Sequence, residues 1–274
     1  MTFSIGLAQI AYPADDDVLA QVRAVAAEAA SRGVDLLVFP ENLMATGELS
    51  ADELRLLAEP LDGGFIQAVG AIARKTGLWV VATLYETNES GGQPYNTAVV
   101  LDDAGRICGC YRKCHLYDAR GVRESDRMSA GGELGVVVEA PFCNLGLAIC
   151  YDLRFPEVFR ALALAGCDLA VLPACWHAGP QKAEHWETLI RSRAIENGFF
   201  VAGAGHAGER YVGESLIADP LGCVIAKGPA GDEETLVVCE IDLEAVESAR
   251  DVMPMLSHRR PELYGSVGGT AVHV

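Results

Sequence analysis

Cys150 closes the apolar run Gly146-Leu147-Ala148-Ile149 and is followed at once by Tyr151-Asp152-Leu153-Arg154-Phe155-Pro156-Glu157. A strand that enters a sharp turn, with a proline able to open a helix at its first turn, has the form of a nucleophile elbow with a thiol at its apex. Such a junction lies at the C-terminal edge of a sheet, where α/β proteins place their sites, and the next backbone N–H can point at an oxyanion. The other eight cysteines are Cys108, Cys110, Cys114, Cys143, Cys167, Cys175, Cys223 and Cys239. Most lie in apolar strand-like runs and read as small core residues. Cys150 stands apart because Asp152 and Arg154 follow it, and a purely apolar strand end does not require them.

A free thiol is only a few per cent thiolate near neutrality, so a cysteine nucleophile needs a base. His115 is available. A second arrangement uses Glu41, which ends a short apolar strand in the first half, where low dielectric is expected to raise its pKa toward the working pH. Lys113 follows the first hairpin, so Glu, Lys and Cys at three strand ends can form one site.

Other motifs read as structure. Gly203-Ala204-Gly205-His206-Ala207-Gly208 has the spacing of a dinucleotide loop, but the residues after it look extended, and a pyrophosphate needs a helix N-terminus there. His177 and His185 show neither HExxH nor paired-cysteine spacing, so no metal is expected. The absence of G-x-S-x-G disfavours an ordinary serine hydrolase.

The elements that position these residues alternate between β and α. Strands are predicted at Phe3–Ile10, Asp35–Phe39, Trp79–Tyr85, Thr97–Leu101, Arg106–Tyr111, Leu145–Ile149, Leu169–Leu172, Phe199–Ala204, Ser215–Ala218, Val224–Ala226 and Thr235–Ile241. Asp15–Asp17 can cap a helix through Leu19, Val22, Val25, Ala26 and Ala29, and helical spacing recurs over Ile66–Lys75, Glu157–Ala165 and Ala183–Asn197. Gly33-Val34-Asp35-Leu36-Leu37-Val38-Phe39-Pro40 returns as Gly166-Cys167-Asp168-Leu169-Ala170-Val171-Leu172-Pro173. Each copy leads through a helix and a strand to a hairpin turned by D-x-x-G, at Asp102–Gly105 and Asp219–Gly222. Two similar halves packed sheet to sheet predict a single α/β domain over residues 1–274, a four-layer α-β-β-α sandwich with two face-to-face mixed sheets.

The 274 residues carry 21 Lys+Arg against 38 Asp+Glu, a formal charge of −17. No basic cluster is denser than Arg191/Arg193 or Arg259/Arg260, which argues against nucleic acid and anionic membrane surfaces as partners. The longest apolar run, Ala161 to Trp176, is broken by Gly166, Asp168 and Pro173 and falls short of the ~20 residues of a membrane span. With no basic residue before Arg23, the N-terminus reads as a strand, not a secretory signal, and the mature chain is expected to start there. An odd cysteine count without CxxC pairs fits reduced thiols in the cytoplasm.

Phe39-Pro40-Glu41-Asn42, Tyr111-Arg112-Lys113 with His115-Leu116, and Cys150–Glu157 resemble, in order and spacing, the three signature blocks of the nitrilase (carbon–nitrogen hydrolase) superfamily. His185-Trp186-Glu187, Arg191–Asn197, Asn96-Thr97 and the tail His258–Tyr264 look most like the branch of omega-amidases and deaminated-glutathione amidases. The resemblance implies Cys150 as nucleophile, Glu41 as general base, and Lys113 with the Tyr151 backbone N–H as oxyanion donors. It makes Glu124 a second active-site glutamate that orients substrate or Lys113, although the segment Asp118–Gly132 is shorter than in the omega-amidases. Trp176, Tyr151 and His177 would line the pocket, and Arg154 or an arginine within Arg120–Arg127 would meet a substrate carboxylate. Arg154, Arg193 and Glu196 could also form buried ion pairs behind the elbow. The implied reaction is hydrolysis of a small linear amide, a 2-oxo acid amide, with no cofactor; the alternatives are an N-carbamoyl amidohydrolase or a nitrilase using the same three residues. A homodimer or larger assembly, joined through the helix after Cys150 and the tail at about 252–274, is implied as well.

Overall fold

Asp17 accepts the Ala20 N–H at 2.8 Å and starts the first helix, which buries Val22, Ala26 and Ala29 along one face. The computed structural model describes residues 1–13, 17–45 and 49–264, so Asp15 and Asp16 of the expected cap and residues 265–274 of the tail lie outside the described residues. The first half runs β1 (Thr2–Gln9), α1 (Val18–Ser31), β2 (Leu36–Val38), α2 (Ala51–Leu57), α3 (Gly64–Thr76), β3 (Trp79–Glu86), β4 (Tyr95–Leu101) and β5 (Ile107–Arg112). A small hairpin, β6 (Asp118–Ala119) and β7 (Val122–Arg123), and β8 (Val136–Glu139) lead to the second half. This comprises β9 (Asn144–Leu147), α4 (Pro156–Leu164), β10 (Leu169–Ala174), α5 (Lys182–Asn197), β11 (Phe200–Gly205), β12 (Leu216–Ala218) and β13 (Val224–Lys227). The chain then returns as β14 (Thr235–Asp242) and ends in α6 (Glu244–Val252) and α7 (Pro261–Tyr264).

Two six-stranded mixed sheets result, ordered β14-β1-β2-β3-β4-β5 and β13-β12-β11-β10-β9-β8. Period-2 alternation sorts their side chains. Along β1, Phe3, Ile5 and Leu7 enter the core shared with Leu145, Leu147 and Val171, whereas Ala8 joins Val22, Ala26 and Val69 of the helix layer. On the other sheet α5 lies so close to β11 that a Cβ at Gly203 would come within 2.5 Å of Trp186. The four layers are helix, sheet, sheet, helix, as the repeat predicts.

The repeat performs the same work twice. Asp35 accepts the Ser4 N–H at 2.8 Å, and Asp168 accepts the Asn144 N–H at 3.0 Å, so each ties the foot of one parallel strand to its neighbour. Gly33 and Gly166, which leave the preceding helices, have φ of +70° and +86°, a conformation that strains residues with a Cβ. At the hairpins the Asp102 carboxylate accepts from Ala104 and Arg106 N–H groups, and Asp219 from Leu221 and Cys223. Even the register shift recurs, between Val100 and Leu101 and between Ile217 and Ala218.

The sequence reading did not include α2, β6, β7, β8, α6 or α7. Of these α2 carries a legible signal, a capping box in which Ser50 and Glu53 bond reciprocally. No helix among the described residues is long and apolar enough to cross a membrane.

Candidate active site

Glu41 sits just past β2, in a turn fastened by Thr83, whose hydroxyl donates to the Pro40 carbonyl at 3.1 Å and accepts the Leu43 N–H at 3.0 Å. Its carboxylate is 2% exposed and fully engaged. Oε1 accepts from Lys113 Nζ at 2.9 Å and Asn96 Nδ2 at 2.8 Å, and Oε2 accepts the Cys175 N–H at 2.8 Å. Lys113 extends β5, pairing its N–H with the Asn96 carbonyl at 2.9 Å, so the two donors to Oε1 come from adjacent strands. The Lys113 ammonium also donates to Glu124 at 2.9 and 3.1 Å. Glu124, in the 3-10 turn after β7, is itself held by the Tyr117 N–H at 2.6 Å.

Cys150 begins the 3-10 turn between β9 and α4, and Pro156 opens α4. Its φ of +43° places a Cβ-bearing residue in the left-handed region, the strained apex expected of an elbow. Asp152, fully buried, ties this turn to the strand end that carries Lys113. It accepts the Ile149 N–H and the Tyr111 hydroxyl, both at 2.9 Å, the His115 N–H at 3.2 Å, and bonds His115 Nδ1 at 2.8 Å. His115 is therefore engaged by Asp152 and stacked on Phe155, not directed at Cys150. Asp152→Ala strands several buried donors at once and is expected to destabilise the fold by about 3 kcal/mol. A urea midpoint read by circular dichroism measures this, with Asp152→Asn losing less.

The site combines opposed electrostatic pressures. Burial pushes the Glu41 carboxyl up, but the charge and hydrogen bond of Lys113, with the Cys150 and Cys175 contacts, outweigh it and hold the carboxyl below its ordinary value. The sequence-based expectation of a raised Glu41 is thus reversed, because that reasoning contained burial but not the facing ammonium. Burial also opposes the Lys113 ammonium, yet Glu124 and Glu41 lift its pKa well above the usual value. Burial and then the Glu41 charge push the Cys150 thiol well above its own. The resting group is an ionised carboxylate facing a neutral thiol.

These residues open on a cleft of about 90 Å³ lined by Glu41, Lys113, Glu124, Cys150 and, at its wall, Tyr151, Trp176 and His177. Tyr151 stands edge-on to Tyr117 with centroids 5.0 Å apart, and His177 bridges to Tyr211. Arg154 lies outside the lining, with its guanidinium 4.8 Å from the Trp176 ring centroid. Arg193 pairs with Glu196 at 2.7 Å and bonds the Leu153 carbonyl at 3.0 Å. Of the ion-pair group expected behind the elbow, Arg193 and Glu196 pair, whereas Arg154 packs on the indole and forms no ion pair among the described residues. Of the arginines in 120–127, Arg127 reaches the lining and donates to the Leu49 carbonyl at 2.7 Å.

Several participants went unnoticed in the sequence. Cys175 read as one more core thiol, yet its backbone N–H holds Glu41 and its Sγ bonds the Glu41 carbonyl at 3.3 Å. His206, inside the false dinucleotide motif, is buried with Nε2 2.7 Å from the Glu41 carbonyl and Nδ1 3.0 Å from that of Ile10. Its loop is followed by turns and not a helix, as expected. Cys114, His115 and Asp152 bring three ligand-type atoms within 4.8 Å, but the Asp152 oxygens already accept the donors above, which suits a structural knot better than a metal.

The family model described as carbon-nitrogen hydrolase matches residues 4–251. A deaminated glutathione amidase of Escherichia coli O157:H7 is 37% identical over 234 residues, 85% of this chain and 88% of that protein. The C. elegans NitFhit crystal structure aligns with a TM-score of 0.86 at 32% identity, over 96% of this chain and 66% of that one. A glutamate-to-glutamine variant of the amidase from Nesterenkonia sp. AN1 aligns with a TM-score of 0.77 at 26% identity, over 96% of this chain and 95% of that one. That variant carries the acetamide moiety of fluoroacetamide added covalently at its active-site cysteine.

Proposed function

The chain belongs to the carbon–nitrogen hydrolase family, a hydrolase acting on amides, and from that premise we propose that Glu41, Lys113 and Cys150 cleave a small linear amide through a thioester. The observation that carries this reading is the convergence of Lys113 and Cys150 on one buried carboxylate. As Cys150 Sγ bonds to the amide carbon, Glu41 takes the thiol proton, and the oxyanion is met by the Lys113 ammonium and the Tyr151 N–H. Glu41 returns that proton to nitrogen, the C–N bond breaks and ammonia leaves. Glu41 then takes a proton from water as its oxygen attacks the thioester carbon. The C–S bond breaks, the proton returns to sulfur and the carboxylic acid departs. Glu124 holds Lys113 in place and balances its charge throughout.

The small cleft supports a short substrate, and the cations around it support one bearing a carboxylate. We take this to be a 2-oxo acid amide, in line with the amidase names of the relatives. Ammonia release across 2-oxo acid amides, simple aliphatic amides, N-carbamoyl compounds and nitriles tests it, and the 2-oxo acid amides are expected to react fastest. Carbon dioxide released with the ammonia would make the enzyme a carbamoylase, and a nitrile consumed faster than its amide would make it a nitrilase. All nine cysteines are free, which supports a cytoplasmic setting. Exposed Leu164 on α4, with Val252, Met253, Leu263 and Tyr264 near the C-terminus, supports a homodimer or larger assembly, which sedimentation at micromolar concentration checks.

A further inference from the structure

Three Lys or Arg side chains among the described residues are buried: Lys113, Arg193 and Lys182. Lys113 lies between two carboxylates and Arg193 pairs with Glu196. Lys182, 4% exposed, makes no ion pair with a described carboxylate. Its ammonium lies 4.3 Å from the centroid of the Trp176 ring and 5.8 Å from that of Tyr117, and it faces the cleft that holds Cys150. The backbone is fixed to suit, because the Trp176 indole N–H donates to the Lys182 carbonyl at 2.8 Å, at the first turn of α5.

Next to the ammonium the nearest charged side chains are also cationic. Arg154 shares the Trp176 ring, and Arg120 approaches the Gly179 backbone just before Lys182. The two carboxylates that line the cleft, Glu41 and Glu124, are taken by Lys113, so among the described residues the buried Lys182 ammonium has two guanidiniums near it and no ion-pair partner, a site short of an anion. An aromatic face compensates an ammonium only in part. Burial depresses the Lys182 pKa; Cys150 opposes this, Arg154 and Arg120 reinforce it, and an arriving anion would raise it again.

We propose that Lys182 is the specificity-determining residue of this enzyme, pairing with a carboxylate at the end of the substrate remote from the scissile amide. The proposal rests on the amidase reading above and names the group that reads the substrate's charge. A neutral amide leaves the ammonium unpaired in the closed complex, and a site built for a polar partner rejects an analogue that lacks it far more strongly than a merely smaller one.

The test compares succinamate with butyramide, which replaces the carboxylate by a methyl group, in wild type, Lys182→Met and Lys182→Arg. The wild-type enzyme is expected to prefer succinamate in kcat/KM by about 100-fold. Lys182→Met should lose at least about tenfold more on succinamate than on butyramide, mainly through KM, and Lys182→Arg should recover part of the loss. Equal losses on both amides, or none on succinamate, overturn the proposal. Calorimetric titration with succinate separates this outcome from failure of the amidase reading. If neither amide is hydrolysed, tight succinate binding lost in Lys182→Met still supports the proposal, and binding that is absent or insensitive to the substitution overturns it.

Discussion

Cys150→Ala is expected to lower ammonia release by about 10⁴-fold or more, to the level of the blank, with the circular dichroism spectrum and urea midpoint preserved. Alanine has the same Cβ as cysteine and meets the same strain at φ +43°, so the substitution removes the sulfur without altering the turn. The elbow is held by Asp152 and by the hydrogen bonds it accepts, none of which uses Sγ of Cys150. Cys150→Gly, which relieves the left-handed strain, should be equally inactive and about 1 kcal/mol more stable than the alanine variant. Ammonia release by a folded Cys150→Ala protein would remove Cys150 as nucleophile.

Glu41→Gln is expected to cost about 10²–10⁴-fold, because both halves of the reaction pass a proton through this one carboxylate. The substitution is not silent electrostatically. Both oxygens of Glu41 accept hydrogen bonds from Lys113, Asn96 and Cys175, so a glutamine must turn its amide N–H₂ toward one of these donors. Haloacetamide should still alkylate Cys150 in this variant, because displacement of halide by sulfur needs no proton delivered to the leaving group. A near-normal rate of amide hydrolysis would dismiss Glu41 as the base. The wild-type pH profile carries the matching sign. In the proposed mechanism catalysis requires ionised Glu41, whose pKa the Lys113 ammonium holds below its ordinary value, so kcat/KM should not fall between pH 7 and pH 5. The same depressed carboxyl adds stability above its unfolded pKa that is lost as pH falls through the folded one.

Much of the architecture could be read from local rules. The two copies of G-x-D-L-x-V-x-P and the two D-x-x-G turns encode their own geometry, because an aspartate bonding its neighbours' N–H groups needs only a short stretch of chain. The strand ends carrying Glu41, Lys113 and Cys150 were legible for the same reason. The contacts that tune them were not. The Cys175 N–H that grips Glu41 is a backbone group 134 positions away, and any residue type except proline would present it. Asn96 reaches Glu41 only because β4 lies beside β5 in the sheet. The direction of the Glu41 shift depends on an ammonium 2.9 Å away and 72 positions along the chain, a fact of sheet order that no local pattern contains. Lys182 lies one residue outside the helix expected at Ala183–Asn197, and the absence of a described counter-carboxylate sets it apart.

The twofold repetition also determines where chemistry is missing. Gly6-Leu7-Ala8 matches Gly146-Leu147-Ala148, and a Cβ on Gly6 or Gly146 would press on Val34 or Cys167, which are themselves equivalent. Continuing the match, Cys150 corresponds to Ile10, Glu41 to Ala174, and Lys113 to Ala230. The chain therefore resembles a fused pair with two quasi-equivalent loci, one bearing a thiol, a carboxylate and an ammonium and the other only isoleucine and two alanines. The first half supplies Glu41 and Lys113 and the second supplies Cys150, so under the proposed mechanism neither half would be an enzyme by itself. Under that mechanism reactivity would arise only once the two sheets have docked, and catalytic competence would be a property of their union.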